Sequence, residues 1–151
     1  MRVLIPAAVL AVLALIPRDT PDAPRANDLA DALFPLPPQE VAAGMFEKWQ
    51  QEAAKKPGPV TYTRVEYDKK AFWVAEAHFG WGAPSKKIAL YAPTKDGAFR
   101  RCLLAGPIKA WKFAVAVDAK TGILELREEA NSSIKGDVVL SCNLKTIGVL
   151  P

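Results

Sequence analysis

At Pro57-Gly58-Pro59 the spacing of apolar residues changes from four to two, and this switch decides the kind of fold open to the chain. Before it, Val41, Met45, Trp49 and Ala53 recur every fourth position, and Ala42 and Phe46 widen the stripe. That spacing predicts an amphipathic helix from about Pro38 to Lys56, with its apolar face turned to a core rather than to a cofactor. Pro38 suits a first helical position, Glu40 and Lys55/Lys56 complement the helix dipole, and Pro57-Gly58 ends the element.

After Pro59 the pattern alternates. Val60–Tyr67 and Ala71–Phe79 flank Asp68-Lys69-Lys70, which reads as a hairpin. Lys87–Tyr91 and Ala98–Leu104 flank a turn ending in Asp96-Gly97, and Trp111–Val117 and Ile123–Arg127 flank Asp118-Ala-Lys-Thr-Gly122. Asp137–Leu144 adds a further strand. Connections this short do not allow parallel crossovers, so the strands are expected to run antiparallel. The class is α+β: an N-terminal amphipathic helix packed on an antiparallel sheet or meander of about six to seven strands.

The first 26 residues read differently. Met1-Arg2 precedes an apolar stretch, Val3 to Ile16, which is the layout of a secretory signal peptide. Fourteen helical residues span about 21 Å, short of the roughly 30 Å hydrocarbon core, so a cleaved leader is expected rather than an anchor. The division is then a signal peptide over 1–26, a Pro-rich lead-in over 27–37 and one α+β domain over 38–151. The mature chain is expected outside the cytoplasm, secreted or periplasmic, with no transmembrane span. Its charge is uneven: residues 27–47 carry −4, residues 48–120 carry +8, and residues 121–151 carry −1.

Export gives the two cysteines a meaning. Cys102 and Cys142 are expected to form a disulfide, since such bonds persist in oxidising compartments. The bridge would close about 41 residues and contribute roughly 4 kcal/mol in the chain-entropy model. Their separation fits neither a metal-ligand nor a redox motif.

Few residues suggest catalysis. His78 is the only histidine, so it cannot build a multi-histidine metal centre, although it offers a general base with Glu76 on the same strand face. No serine lies in a Gly-x-Ser-x-Gly setting, and Gly80-Trp81-Gly82 is followed by no phosphate-loop pattern. Glu125, Glu128 and Glu129 read as a solvated edge, and Asn131-Ser132-Ser133 matches a glycosylation acceptor. No metal site and no cofactor are expected, and an enzyme is not the favoured reading.

The basic middle carries four doublets, Lys55/Lys56, Lys69/Lys70, Lys86/Lys87 and Arg100/Arg101. On one side they would form a surface for an anionic envelope component or another exported protein; spread out, they would guard sheet edges. Nucleic acid is not an expected partner of an exported chain.

The stretch Phe113–Leu126, Phe-Ala-Val-Ala-Val-Asp-Ala-Lys-Thr-Gly-Ile-Leu-Glu-Leu, resembles the closing hairpin of PepSY-type domains, small exported helix-plus-sheet modules. The resemblance covers those 14 of the 151 residues and implies no activity for this chain.

Three functions follow as expectations. The first is a non-catalytic exported domain with a binding or envelope-interaction role. The second is a carrier of a small apolar ligand, held in a cleft between helix and sheet near Trp49, Trp73, Trp81 or Trp111. The third is a hydrolase-like enzyme centred on His78. The candidate ligand-binding residues are Trp73, His78, Trp81 and Trp111. The candidate basic surface is Lys69, Lys70, Lys86, Lys87, Arg100 and Arg101.

Overall fold

Alternating apolar residues become buried strands only if something covers each face, and here two different layers cover one central sheet. The computed structural model describes residues 36–79, 85–109, 112–129 and 135–151, all within the compact unit Phe34–Pro151. The proposed leader, most of the Pro-rich lead-in, Trp81, Trp111 and Asn131-Ser132-Ser133 lie outside the described residues.

The elements in chain order are β1 (Glu40–Val41), α1 (Met45–Lys55), β2 (Val60–Tyr67), β3 (Lys70–Phe79), β4 (Ser85–Pro93), β5 (Phe99–Lys109), β6 (Phe113–Val117), β7 (Ile123–Glu129), β8 (Lys135–Asn143) and α2 (Leu144–Ile147). Five strands form one sheet in the order β1-β5-β4-β3-β2, and three form a second in the order β6-β7-β8. All named strand pairs are antiparallel. The class is α+β, with more sheet than expected: eight described strands in two sheets, rather than one meander of six to seven.

The helix also departs from expectation at its start. Glu40–Val41 is not a first helical turn but a short strand paired with Phe99 and Arg100, and Glu40 holds the Arg100 guanidinium at 3.0 Å. The chain then turns at Gly44, whose φ of +79° favours glycine, and the helix begins at Met45. The stripe survives the later start: Phe46 is fully buried, and Met45 and Trp49 pack beside it.

One face of the central sheet meets α1. Phe46 sits there at the middle of an aromatic cluster, stacked on Trp73 at 5.2 Å and meeting Tyr91 at 5.0 Å and Phe99 at 5.5 Å. Ala75, Ala77 and Ala89 on the same face are small enough to let the helix approach. The other face meets the second sheet through Phe72, Val74, Ile88, Leu90, Phe113, Leu124 and Leu126. Because both faces are covered, Phe72 through Ala77 and Ile88 through Ala92 are buried without interruption.

The hairpin turns form where the sequence places them. Asp68 and Lys69 both take positive φ, +51° and +59°, as a two-residue turn matched to strand twist requires. At Asp118–Gly122 the aspartate carboxylate accepts from the amides of Lys120 at 2.7 Å and Thr121 at 3.1 Å.

Two bulges interrupt β5. Leu90 pairs with Leu103 but Tyr91 with Arg101, leaving Cys102 as an extra residue; Lys86 pairs with Ile108 but Ile88 with Ala105, leaving Gly106 and Pro107 opposite Lys87. At the second bulge a side chain on Gly106 would come within 2.8 Å of the Lys86 carbonyl.

The expected disulfide is not formed: Cys102 and Cys142 are free thiols. The first bulge supplies the reason, because it turns Cys102 onto its own sheet, where Sγ donates to the Leu90 carbonyl at 3.4 Å. Cys142 instead packs against the core between the sheets. Burial pushes the Cys102 thiol up to about 11, and nearby Cys142 adds to the rise; burial raises Cys142 as well.

Candidate functional site

Strand β3 sorts the candidate residues by parity. Trp73 lies on the α1 side and is fully buried in the aromatic core. His78, five positions on, lies on the opposite face with Phe72, Val74 and Glu76. The structure therefore does not bring Trp73 and His78 together, and Trp81 and Trp111 lie outside the described residues. Phe46 stacked on Trp73 fills the space between helix and sheet.

The six basic residues do not gather on one face. Lys86 is a core residue, 3% exposed, with its ammonium 3.4 Å from Glu76 Oε1. Arg100 is paired with Glu40 and also donates to the Pro151 carbonyl at 3.0 Å. Arg101 is the cross-strand neighbour of Tyr91, and Lys70 lies 3.6 Å from Asp68. Lys69 and Lys70 sit at the β2–β3 turn, whereas Lys86 and Lys87 begin β4 at the opposite end of β3.

That opposite end holds a buried polar cluster. Register sets His78 beside Lys86 on β4 and Glu76 beside Thr61 on β2. Glu76 Oε2 accepts from the Thr61 hydroxyl at 3.5 Å, and its other oxygen faces Lys86. The Lys86 ammonium also stands 5.0 Å from the centre of the Phe113 ring, an attraction between cation and ring face. His78 Nε2 is buried with no hydrogen-bond partner among the described residues. Burial, and then the charge of Lys86, pull the His78 pKa below the ordinary value of 6.5, with Glu76 opposing them. Among the described residues no group of three or more His, Cys, Asp or Glu is placed to hold a metal.

On the α1 side, a surface groove of about 390 Å³ runs between the end of the helix and the start of β2. Trp49, Ala53, Pro59 and Tyr62 supply its apolar lining, and Glu52 and Lys56 its charges. Trp49 and Tyr62 lie nearly parallel, 5.8 Å apart at 30°, and Gln50 Nε2 donates to the Tyr62 carbonyl at 3.3 Å, tying the helix to the strand. Burial and the nearby Glu52 carboxylate raise the Tyr62 pKa.

Helical spacing puts Trp49, Glu52, Ala53 and Lys56 on one flank of α1. Strand alternation puts Tyr62 with Val60 on the face toward the helix. Tyr62 was missing from the expected site because nothing local says that the helix lies over β2.

A second groove, about 340 Å³, is lined by Val117, Asp118, Thr121 and Glu125 at the β6–β7 turn. No helix among the described residues is long and apolar enough to cross a membrane. No protein-family model, no curated protein and no solved structure matches the chain.

Proposed function

We propose that this chain is a small exported binding module whose binding surface is the groove between α1 and the start of β2. The observation that carries this reading is a half-exposed indole stacked on a half-exposed phenol, with Glu52 and Lys56 in the same groove. A flat apolar surface edged by a carboxylate and an ammonium suits a pyranose ring: the C–H face of the sugar covers the aromatic surface while its hydroxyls meet the charged groups. For an exported protein, the glycans of the cell envelope are the natural source of such rings.

Binding is favoured over catalysis by the chemistry around His78. Both oxygens of Glu76 are engaged, by Lys86 and Thr61, so the carboxylate is not free to orient the imidazole as a general base requires. An apolar carrier is less well supported, because aromatic side chains already fill the layer under the helix.

Calorimetric titration of the mature chain with envelope glycan fragments tests the proposal. Saturable binding is expected, with affinity about tenfold weaker in Trp49→Ala, the loss of roughly 1.4 kcal/mol of ring contact. Absence of binding, or equal binding by the variant, would overturn it. Export is tested separately, by locating the protein after expression with its leader and sequencing its N-terminus.

A further inference from the structure

We infer that His78 is an acid-responsive latch on the first residues of β2, and so regulates the groove that those residues help to line. The regulatory part rests on the groove being the binding surface; the latch itself does not.

Three contacts define the latch. The His78 amide donates to the Pro59 carbonyl at 2.7 Å, fixing the main chain where it enters β2. Thr61 donates to Glu76, two residues before His78 on the same face. Glu76 also faces Lys86, the cross-strand neighbour of His78. The start of β2 is thus held to β3 once through the backbone and once through a carboxylate shared with a buried ammonium. Val60 and Tyr62, on either side of Thr61, point the other way, into the groove.

A proton on His78 unsettles this arrangement. The charged groups acting on the imidazole are Lys86 from β4 and Glu76 from its own strand; β2 contributes the Thr61 hydroxyl, β5 the apolar Ile108 opposite Lys86, and β6 the Phe113 ring. Neutral His78 leaves one cation and one anion in balance. Protonated His78 adds a second cation to a poorly solvated space holding one carboxylate, and Coulomb energies are large there. The imidazolium relieves the repulsion either by drawing Glu76 away from Lys86 and Thr61, or by turning out toward solvent, which its half-exposed position permits. Drawing Glu76 away releases the Thr61 hydroxyl, and with it the side-chain hold on one wall of the groove.

The sign follows from the depressed pKa. The unfolded chain takes up the proton near pH 6.5, while the folded chain resists it to lower pH. Stability conferred by neutral His78 is therefore complete above about pH 6.5 and declines as pH falls through the window between the two pKa values.

The test uses NMR on the mature chain. As the only histidine, His78 gives an unambiguous imidazole signal. Its midpoint is expected below 6.5, with the amides of Val60, Thr61 and Tyr62 titrating at the same midpoint and exchanging about tenfold faster below it, after correction for intrinsic exchange. In His78→Gln the amide response should vanish. An ordinary midpoint, or β2 amides that ignore the titration, would overturn the latch in the wild type alone, whether or not the variant folds. A second variant, Lys86→Met, should raise the midpoint, and an unchanged midpoint counts against the mechanism. If the β2 amides respond but no glycan binds, the latch stands and the proposed binding function fails.

Discussion

The Tyr91 hydroxyl donates to the Pro37 carbonyl across 2.7 Å, joining residues 54 positions apart. The bond is buried, and desolvation pushes the Tyr91 pKa up to about 12 despite the opposing Arg101. Tyr91→Phe keeps the ring that packs on Phe46 but leaves the Pro37 carbonyl without its donor. The expected cost is about 1–3 kcal/mol in denaturant unfolding. An unchanged midpoint would show that the carbonyl finds another partner.

Glu76 and Lys86 should behave asymmetrically on mutation. Removing one member strands the other as an uncompensated charge, so Glu76→Leu or Lys86→Met alone should cost about 3–5 kcal/mol. Replacing both together should be near neutral or stabilising. Urea melts of the three variants decide it. Additive losses in the double variant would mean that the pair contributes through something other than its own charges.

The thiols should be slow to react. With a pKa of about 11, roughly one Cys102 in a thousand is thiolate at pH 8, and the thiolate is the reactive form. Both cysteines should titrate as free thiols in denatured, unreduced protein. In the native protein, iodoacetamide should label Cys102 far more slowly than a model thiol. Cys102 is exposed, so access does not limit the reaction, and labelling at the model rate would contradict the raised pKa of its thiol.

Gly122 is expected to tolerate no side chain. Its φ is +74°, and an added Cβ would lie 2.8 Å from the Tyr67 ring. Gly122→Ala combines backbone strain with a steric conflict between the β6–β7 turn and the end of β2. A loss of about 2–3 kcal/mol is expected in thermal or chemical unfolding. A smaller effect would mean that Tyr67, which is only half-buried, moves aside readily.

The hairpins were legible because they are local. Asp68-Lys69 and Asp118–Gly122 carry their turn chemistry within a few residues, and the flanking alternation does the rest. The apolar stripe of α1 was legible for the same reason, although its first turn was not. Whether Glu40–Val41 becomes helix or strand depends on Arg100, 60 residues away, which offers both a free strand edge and a charge. The basic doublets misled because charge alone does not reveal burial: Lys86 looks like a surface lysine until Glu76 and Phe113 are seen beside it.

The sequence by itself determined that this chain has a helix followed by antiparallel hairpins, and which residues of β3 share a face. Those features depend on periodicity and turn geometry, which act over a few residues. Tertiary structure alone decided that the strands divide into two sheets, that Cys102 bulges out of register, and that Trp49 and Tyr62 line one groove. It also placed His78 beside a buried Lys86. Each of these depends on which element covers which face, and that is settled by contacts between residues far apart in the chain.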